Sequence, residues 1–219
     1  MKVHILACLA NYSNASSVMK EFTRYVQDDD EAFVVATIQA VGRIASNVPD
    51  MADRALNGLM ALVTGPSPPR VLAEGVVVIR QLLQEHRDHE GLVVRLIKRL
   101  NDTEVPAARA AIVWILGEFL DKPRVKSIAP DMLRILAKGF RTEHHGVKLQ
   151  ILTLAVKVFL THPESQQVNL LMKYVFELCR YDTFVDIRDR ARLLRSVSVV
   201  LPRLYRLQPH LMVLCLSWF

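Results

Sequence analysis

The feature that most constrains this chain is a recurrence: helices that are apolar almost all round return at a steady interval. They centre near Ala40, Val77, Val113, Leu154 and Leu194, about 36 to 41 residues apart. The clearest runs over 105–119, Val-Pro-Ala-Ala-Arg-Ala-Ala-Ile-Val-Trp-Ile-Leu-Gly-Glu-Phe. Pro106 stands where a first-turn proline belongs, because the N–H it lacks would have no partner there. Ala107, Ala108, Ala110 and Ala111 favour helix and keep the backbone slim. Ile112, Val113, Trp114, Ile115 and Leu116 follow without a break, too rich a run for a helix with one wet side. Gly117 costs about 1 kcal/mol against alanine inside a helix, so it is expected to admit a neighbouring helix closely.

The other apolar helices are expected over 31–46, 70–86, 147–162 and 186–201. Between them come amphipathic helices over 15–27, 51–63, 90–100, 130–140 and 163–180, the last started by Pro163 and Glu164. The first of these shows Val18, Phe22, Tyr25 and Val26 on one face. Ser13 or Asn14, and then Asp30, are the expected N-caps. Gly65-Pro66-Ser67-Pro68-Pro69 is the clearest loop, Asp121-Lys122-Pro123 a helix stop, and His144-His145-Gly146 a turn. A helix pair of this size cannot bury its own apolar surface, whereas stacking on neighbouring pairs does. The predicted fold class is therefore all-α: a right-handed α-solenoid of HEAT/armadillo-like helix pairs. About five pairs fill 1–198, and 199–219 reads as an atypical C-terminal tail ending in Leu214-Cys215-Leu216-Ser217-Trp218-Phe219, an apolar patch when free in solution.

Composition narrows the function classes. Half of the chain is hydrophobic, yet only 7% is aromatic and only 8 residues are glycine, so Leu, Val, Ala and Ile carry the burial. No run reaches the roughly 18 uncharged apolar residues of a membrane span. The Met1-Lys2-Val3-His4 start lacks the long apolar region and cleavage site of a signal peptide. Cys8, Cys179 and Cys215 are too scattered for a disulfide framework and fit a reducing cytosolic setting. The net charge of +6 is mild, and its Lys and Arg are interleaved with Asp and Glu. That reads first as solvated helix faces, with attraction to an acidic membrane or partner as the lesser reading. Nucleic acid is not an expected partner: there is no basic run, stacking platform or reader motif.

Candidate chemistry is sparse. His86 and His89 flank a polar turn, and His144 and His145 form another; neither set has the further ligands a metal needs. No Gly-rich phosphate cradle or nucleophile elbow is present. No catalytic, cofactor-binding or metal-binding residue is assigned, no cofactor is implied, and the chain is not expected to be an enzyme. The densest charge cluster runs from Asp186 to Arg192. On a helix Asp186 faces Arg190 and Asp189 faces Arg192, which suggests a ladder tying adjacent repeats, with a partner contact as the alternative. Trp114 reads as core. Import receptors of the armadillo class carry Trp with Asn one turn later; here Glu118 follows Trp114, and the other tryptophan is Trp218.

Four stretches carry a resemblance: Ala36-Thr37-Ile38-Gln39-Ala40-Val41-Gly42-Arg43; Ala73-Glu74-Gly75-Val76-Val77-Val78-Ile79-Arg80; Ala108 to Glu118; and Lys148-Leu149-Gln150-Ile151-Leu152 running on to Phe159-Leu160. Together they resemble the trunk of beta-type large subunits of the heterotetrameric vesicle adaptor complexes. The segment from Tyr181-Asp182 to Arg195 is more similar to the beta subunit of the third such complex. The resemblance implies a non-catalytic scaffold, with 1–198 as the middle part of an adaptin-type trunk. The implied partners are a medium, a small and a second large subunit. Through the assembled complex they extend to a small GTPase, transmembrane cargo, and Golgi or endosomal membranes on a route to lysosome or vacuole. It places no such contact on a numbered residue. The alternatives are another HEAT or armadillo scaffold, such as a nuclear transport receptor or phosphatase scaffold, and an enzyme built on helical repeats.

Overall fold

The structure is a computed structural model that describes residues 2–205. Among them are eleven α-helices and no strand: α1 Lys2–Leu9, α2 Ala15–Tyr25, α3 Glu31–Asn47, α4 Ala52–Thr64, α5 Pro69–Glu85, α6 Glu90–Lys98, α7 Pro106–Glu118, α8 Pro123–Gly139, α9 His145–Thr161, α10 Gln166–Arg180 and α11 Val185–Tyr205. Short 3-10 turns, Pro49–Met51, Arg99–Asn101 and Phe140–Thr142, lead into α4 or finish α6 and α8. The end of the predicted tail, 206–219, with Cys215 and Trp218, lies outside the described residues.

The chain divides into two compact units, Met1–Ala111 and Ile112–Phe219. In the first unit, α1 packs on α3 and α3 on α5, while α2 and α4 cover α3 and α5 from outside. In the second, α9 packs on α11, and α8 and α10 form the companion layer. The expected alternation is present. The covering helices bury one stripe each, such as Leu92, Val93, Leu96 and Ile97 of α6. By contrast, α9 is buried at every residue from 151 to 158, Thr153 and Lys157 included. α11 differs from the apolar helices before it: among its described side chains, 185–198, it buries a stripe of Ile187, Ala191, Leu194 and Ser198 and leaves Leu193 45% exposed.

Local signals account for most boundaries. The Asp30 carboxylate accepts the Ala32 N–H at 2.9 Å, as an N-cap should. Pro69 and Pro123 open α5 and α8 in the first turn, where their missing N–H costs nothing. Three boundaries depart from expectation. Asn14 sits at the N-cap of α2 but makes no side-chain cap bond. It turns backwards instead, accepting from the Asn11 N–H at 2.7 Å and donating to the Leu9 carbonyl at 2.9 Å. α10 begins after Pro163 and Glu164, because the Ser165 side chain accepts from the Val168 N–H and caps there. The largest departure is α8, which runs seven residues further N-terminal than 130–140 and passes through Pro130. An interior proline costs about 3 kcal/mol or more. The stripe Val125, Ala129, Met132, Leu133, Leu136 and Ala137 is buried on both sides of it, and each large apolar side chain offsets about 1.5–3 kcal/mol. Packing therefore outweighs the break.

Glycine spacing sets the distance between α3 and α5. A Cβ on Gly42 would lie 2.7 Å from Val78 Cγ1, closer than real contacts allow. At Gly117 the nearest atoms are Lys157 Cδ at 3.4 Å and Leu154 Cδ1 at 3.5 Å, ordinary contact. The residue that enforces close approach is thus Gly42, while Gly117 merely faces α9. Gly42→Ala gains about 1 kcal/mol of helix propensity but overpacks by about 1–3 kcal/mol. The expected outcome is a net loss of about 1 kcal/mol in urea unfolding, reversed when Val78→Ala is added. Unchanged stability in the single variant would refute it.

Candidate interaction surface

Residues one repeat apart occupy equivalent places on adjacent helices, so a polar tie between repeats should join residues separated by one period. That is what the hydrogen bonds do. In the first unit Gln39 Nε2 donates to Glu74 Oε1 at 2.9 Å, Arg43 meets His4 Nδ1 at 2.9 Å, and Ser46 donates to Glu85 at 3.3 Å. Arg99 donates to the Thr64 carbonyl at 2.8 Å. In the second unit Lys157 meets Glu118 at 3.2 Å and Lys148 meets Asp182 at 2.8 Å. These partners are 34 to 39 residues apart in sequence.

The two ties of the second unit are buried. Their side chains are 5% and 7% exposed for Glu118 and Lys157, and 6% and 8% for Asp182 and Lys148. Burial alone would raise the Asp182 carboxyl. The hydrogen bonds from Lys148 and the Phe184 N–H, with the charges of Lys148 and Arg188, outweigh it and hold Asp182 below the ordinary carboxylate value. Next to it, burial and then the Asp182 charge push the Cys179 thiol up to about 12, against the pull of Lys148.

That thiol gives a direct test. Only the thiolate attacks disulfide reagents, so Cys179 should stay unlabelled in the folded chain near pH 8 and react once urea unfolds it. Exposed Cys8 should react at once. The raised value also has a sign: the buried thiol contributes stability that declines as pH climbs from about 8.5, the unfolded value, toward about 12. Rapid labelling of native Cys179 would contradict its burial.

A second recurrence sits at the fourth position of α7, α9 and α11, occupied by Arg109, Lys148 and Arg188. Arg109 donates to the carbonyls of Leu100 and Thr103 at 2.7 and 3.0 Å. Arg188 donates to those of Asp182 and Thr183 at 2.6 and 3.1 Å. The two arginines clamp the loops before their helices by donating to backbone carbonyls there, whereas Lys148 reaches Asp182 in the next repeat. In sequence Arg188 is one member of the Asp186 to Arg192 charge cluster, and nothing in that cluster marks it as a clamp. The available signal was its spacing from Lys148 and Arg109.

The residues weighed for chemistry are spread apart. His89 pairs with Asp53 at 3.1 Å, tying α4 to the turn before α6. His144 caps α9, its Nδ1 accepting the Gly146 N–H at 3.3 Å, and His145 lies against Phe184 with ring centroids 5.2 Å apart. Among the described residues no three His, Cys, Asp or Glu are grouped to hold a metal ion. Asp189 and Arg192 pair at 2.8 Å on the exposed side of α11, within one helix, and Asp182, just before that helix, ties to Lys148 of α9. Trp114 is half-buried, while Ile112, Val113, Ile115 and Leu116 around it are buried. A groove of about 330 Å³ between α2 and α4 is floored by Phe22, Val41, Ala55 and Leu59, with Lys20 and Arg54 on its lining. No carboxylate, His or Cys lines it.

Helix pairs joined by period-spaced ties describe a repeat architecture, and the comparison with known proteins gives it a family. Residues 1–200 match the family described as the adaptin N terminal region. The chain belongs to the adaptin family. The AP-3 complex subunit beta-2 of Mus musculus is 44% identical to this adaptin chain over 200 residues, 91% of the chain and 18% of that subunit. The chain therefore spans less than a fifth of that relative's length. A chain of a homology model of the full-length AP-3 complex in an intermediate open conformation superposes with a TM-score of 0.75 at 26% identity, covering 91% of this chain and 36% of that one. A designed armadillo repeat protein superposes with a TM-score of 0.53 at 16% identity, covering 88% and 89% of the two chains, which bears on the fold alone. The adaptin resemblance, the leaning toward the third complex and the all-α repeat class all hold. A nuclear transport receptor or phosphatase scaffold is not favoured.

Proposed function

We propose that this chain acts as a non-catalytic trunk segment of a beta-type adaptor subunit in vesicle-mediated intracellular protein transport. In this reading 1–198 is the middle part of the trunk and 199–219 an atypical tail. The observation that carries it is the 44% identity to an AP-3 beta subunit across 91% of the chain. The segment would engage the medium, small and second large subunits of its complex. Through the complex it would reach a small GTPase and transmembrane cargo on Golgi or endosomal membranes, on the route to lysosome or vacuole. Among the described residues no helix is long and apolar enough to cross a membrane, which suits a peripheral attachment. The test is affinity purification of the tagged chain from cytosol. Co-purification of medium and small adaptor subunits is the expected result; capture of import cargo or of a phosphatase catalytic subunit in their place would overturn it.

A further inference from the structure

The net charge of +6 is not spread evenly: residues 122–141 hold six Lys and Arg against a single Asp. Most of that stretch is α8, and its exposed side carries Arg134, Ile135 and Lys138. In the same unit α8 packs against α10, whose exposed side carries Leu170, Lys173 and Tyr174. Ile135, Leu170 and Tyr174 are 45%, 66% and 51% exposed. No carboxylate lies within ion-pair distance of Arg134, Lys138 or Lys173 among the described residues. The acidic groups of these two faces are Asp131 and Glu177, and Glu177 is engaged by Arg180 and Arg195.

We propose that the exposed faces of α8 and α10 form a docking surface for an anionic lipid bilayer. Exposed cations beside exposed apolar side chains are what the headgroup boundary favours. The cations meet acidic headgroups while Ile, Leu and Tyr enter the interfacial layer. An acidic protein surface would satisfy the cations but leaves three well-exposed apolar side chains unexplained. This inference rests on the peripheral-membrane part of the proposed function. It involves no other adaptor subunit, so failed co-purification and failed lipid binding are separate results.

The experiment is flotation of the full 219-residue chain with phosphatidylcholine vesicles, with or without phosphatidylserine as a quarter of the lipid. Binding should require phosphatidylserine and weaken with salt. Each basic residue near such a surface contributes about 1 kcal/mol, so the double variant Arg134→Gln, Lys138→Gln should bind roughly thirty-fold more weakly. Leu170→Ser with Tyr174→Ser should weaken binding while leaving its salt dependence in place. The same charge removal on α6, Arg95→Gln with Lys98→Gln, should leave it nearly unchanged, and helicity by circular dichroism should match wild type in every variant. Equal binding to neutral vesicles, an equal loss in the α6 variant, or binding to soluble polyglutamate but not to anionic vesicles would each overturn the proposal.

Discussion

Glu118→Ala is expected to destabilise the second unit by about 3–5 kcal/mol. The substitution removes the carboxylate 3.2 Å from the Lys157 ammonium and leaves that ammonium 7% exposed, among α9 residues that are otherwise buried. A buried charge that loses its counter-charge cannot recover water without opening the packing, and this is why breaking a pair costs far more than the pair contributes. The double variant Glu118→Leu, Lys157→Leu should therefore recover most of the loss, because it removes both charges from a dry interface. Urea unfolding gives the magnitude, and hydrogen exchange should place the lost protection within residues 112–219. A single variant as stable as wild type, or a double variant worse than the single, would refute this account of the tie.

Asp182→Ala should cost a similar amount, about 3–5 kcal/mol, and should also change the response to acid. Asp182 accepts from Lys148 at 2.8 Å and from the Phe184 N–H at 3.0 Å, so its loss strands a cation and frees a turn. Its folded carboxyl titrates below the ordinary value. The stability it contributes is thus complete above the unfolded value of about 3.9 and is lost as pH falls through the lower folded value. Wild-type stability should drop steeply below about pH 4, and the variant, already weaker, should lose less over the same range. Parallel acid profiles for the two proteins would show that Asp182 is not responsible.

The repeat was legible because it depends on composition along one helix at a time. Pro106, the alanines after it and the Ile112 to Leu116 run place α7 without reference to any other residue, and Asp30 caps α3 by a bond two residues away. What is not legible there is non-local. Pro130 reads as a helix start because a proline's penalty is local, while the burial that offsets it comes from α9 and α10. Ser165 displaced Pro163 as the start of α10 through one hydroxyl whose aim depends on backbone geometry. The ties from Gln39 to Glu74 and from Lys148 to Asp182 could be found only by reading the chain one period out of step with itself. The basic face of α8 does not show in the net charge of the whole chain, where acidic residues elsewhere cancel it. The surface was therefore the least legible part, since it depends on which side chains of two separate helices point outward together.

Because every one of those ties reaches one period along the chain and no further, length changes should be judged by phase. Losing or gaining a few residues inside a helix would set each donor opposite the wrong acceptor on the next helix. Excising one whole period, cut in matching turns, would keep the helices on either side of the cut in phase. In such an architecture natural variation in length is expected to arrive in complete helix pairs or in the turns that join them.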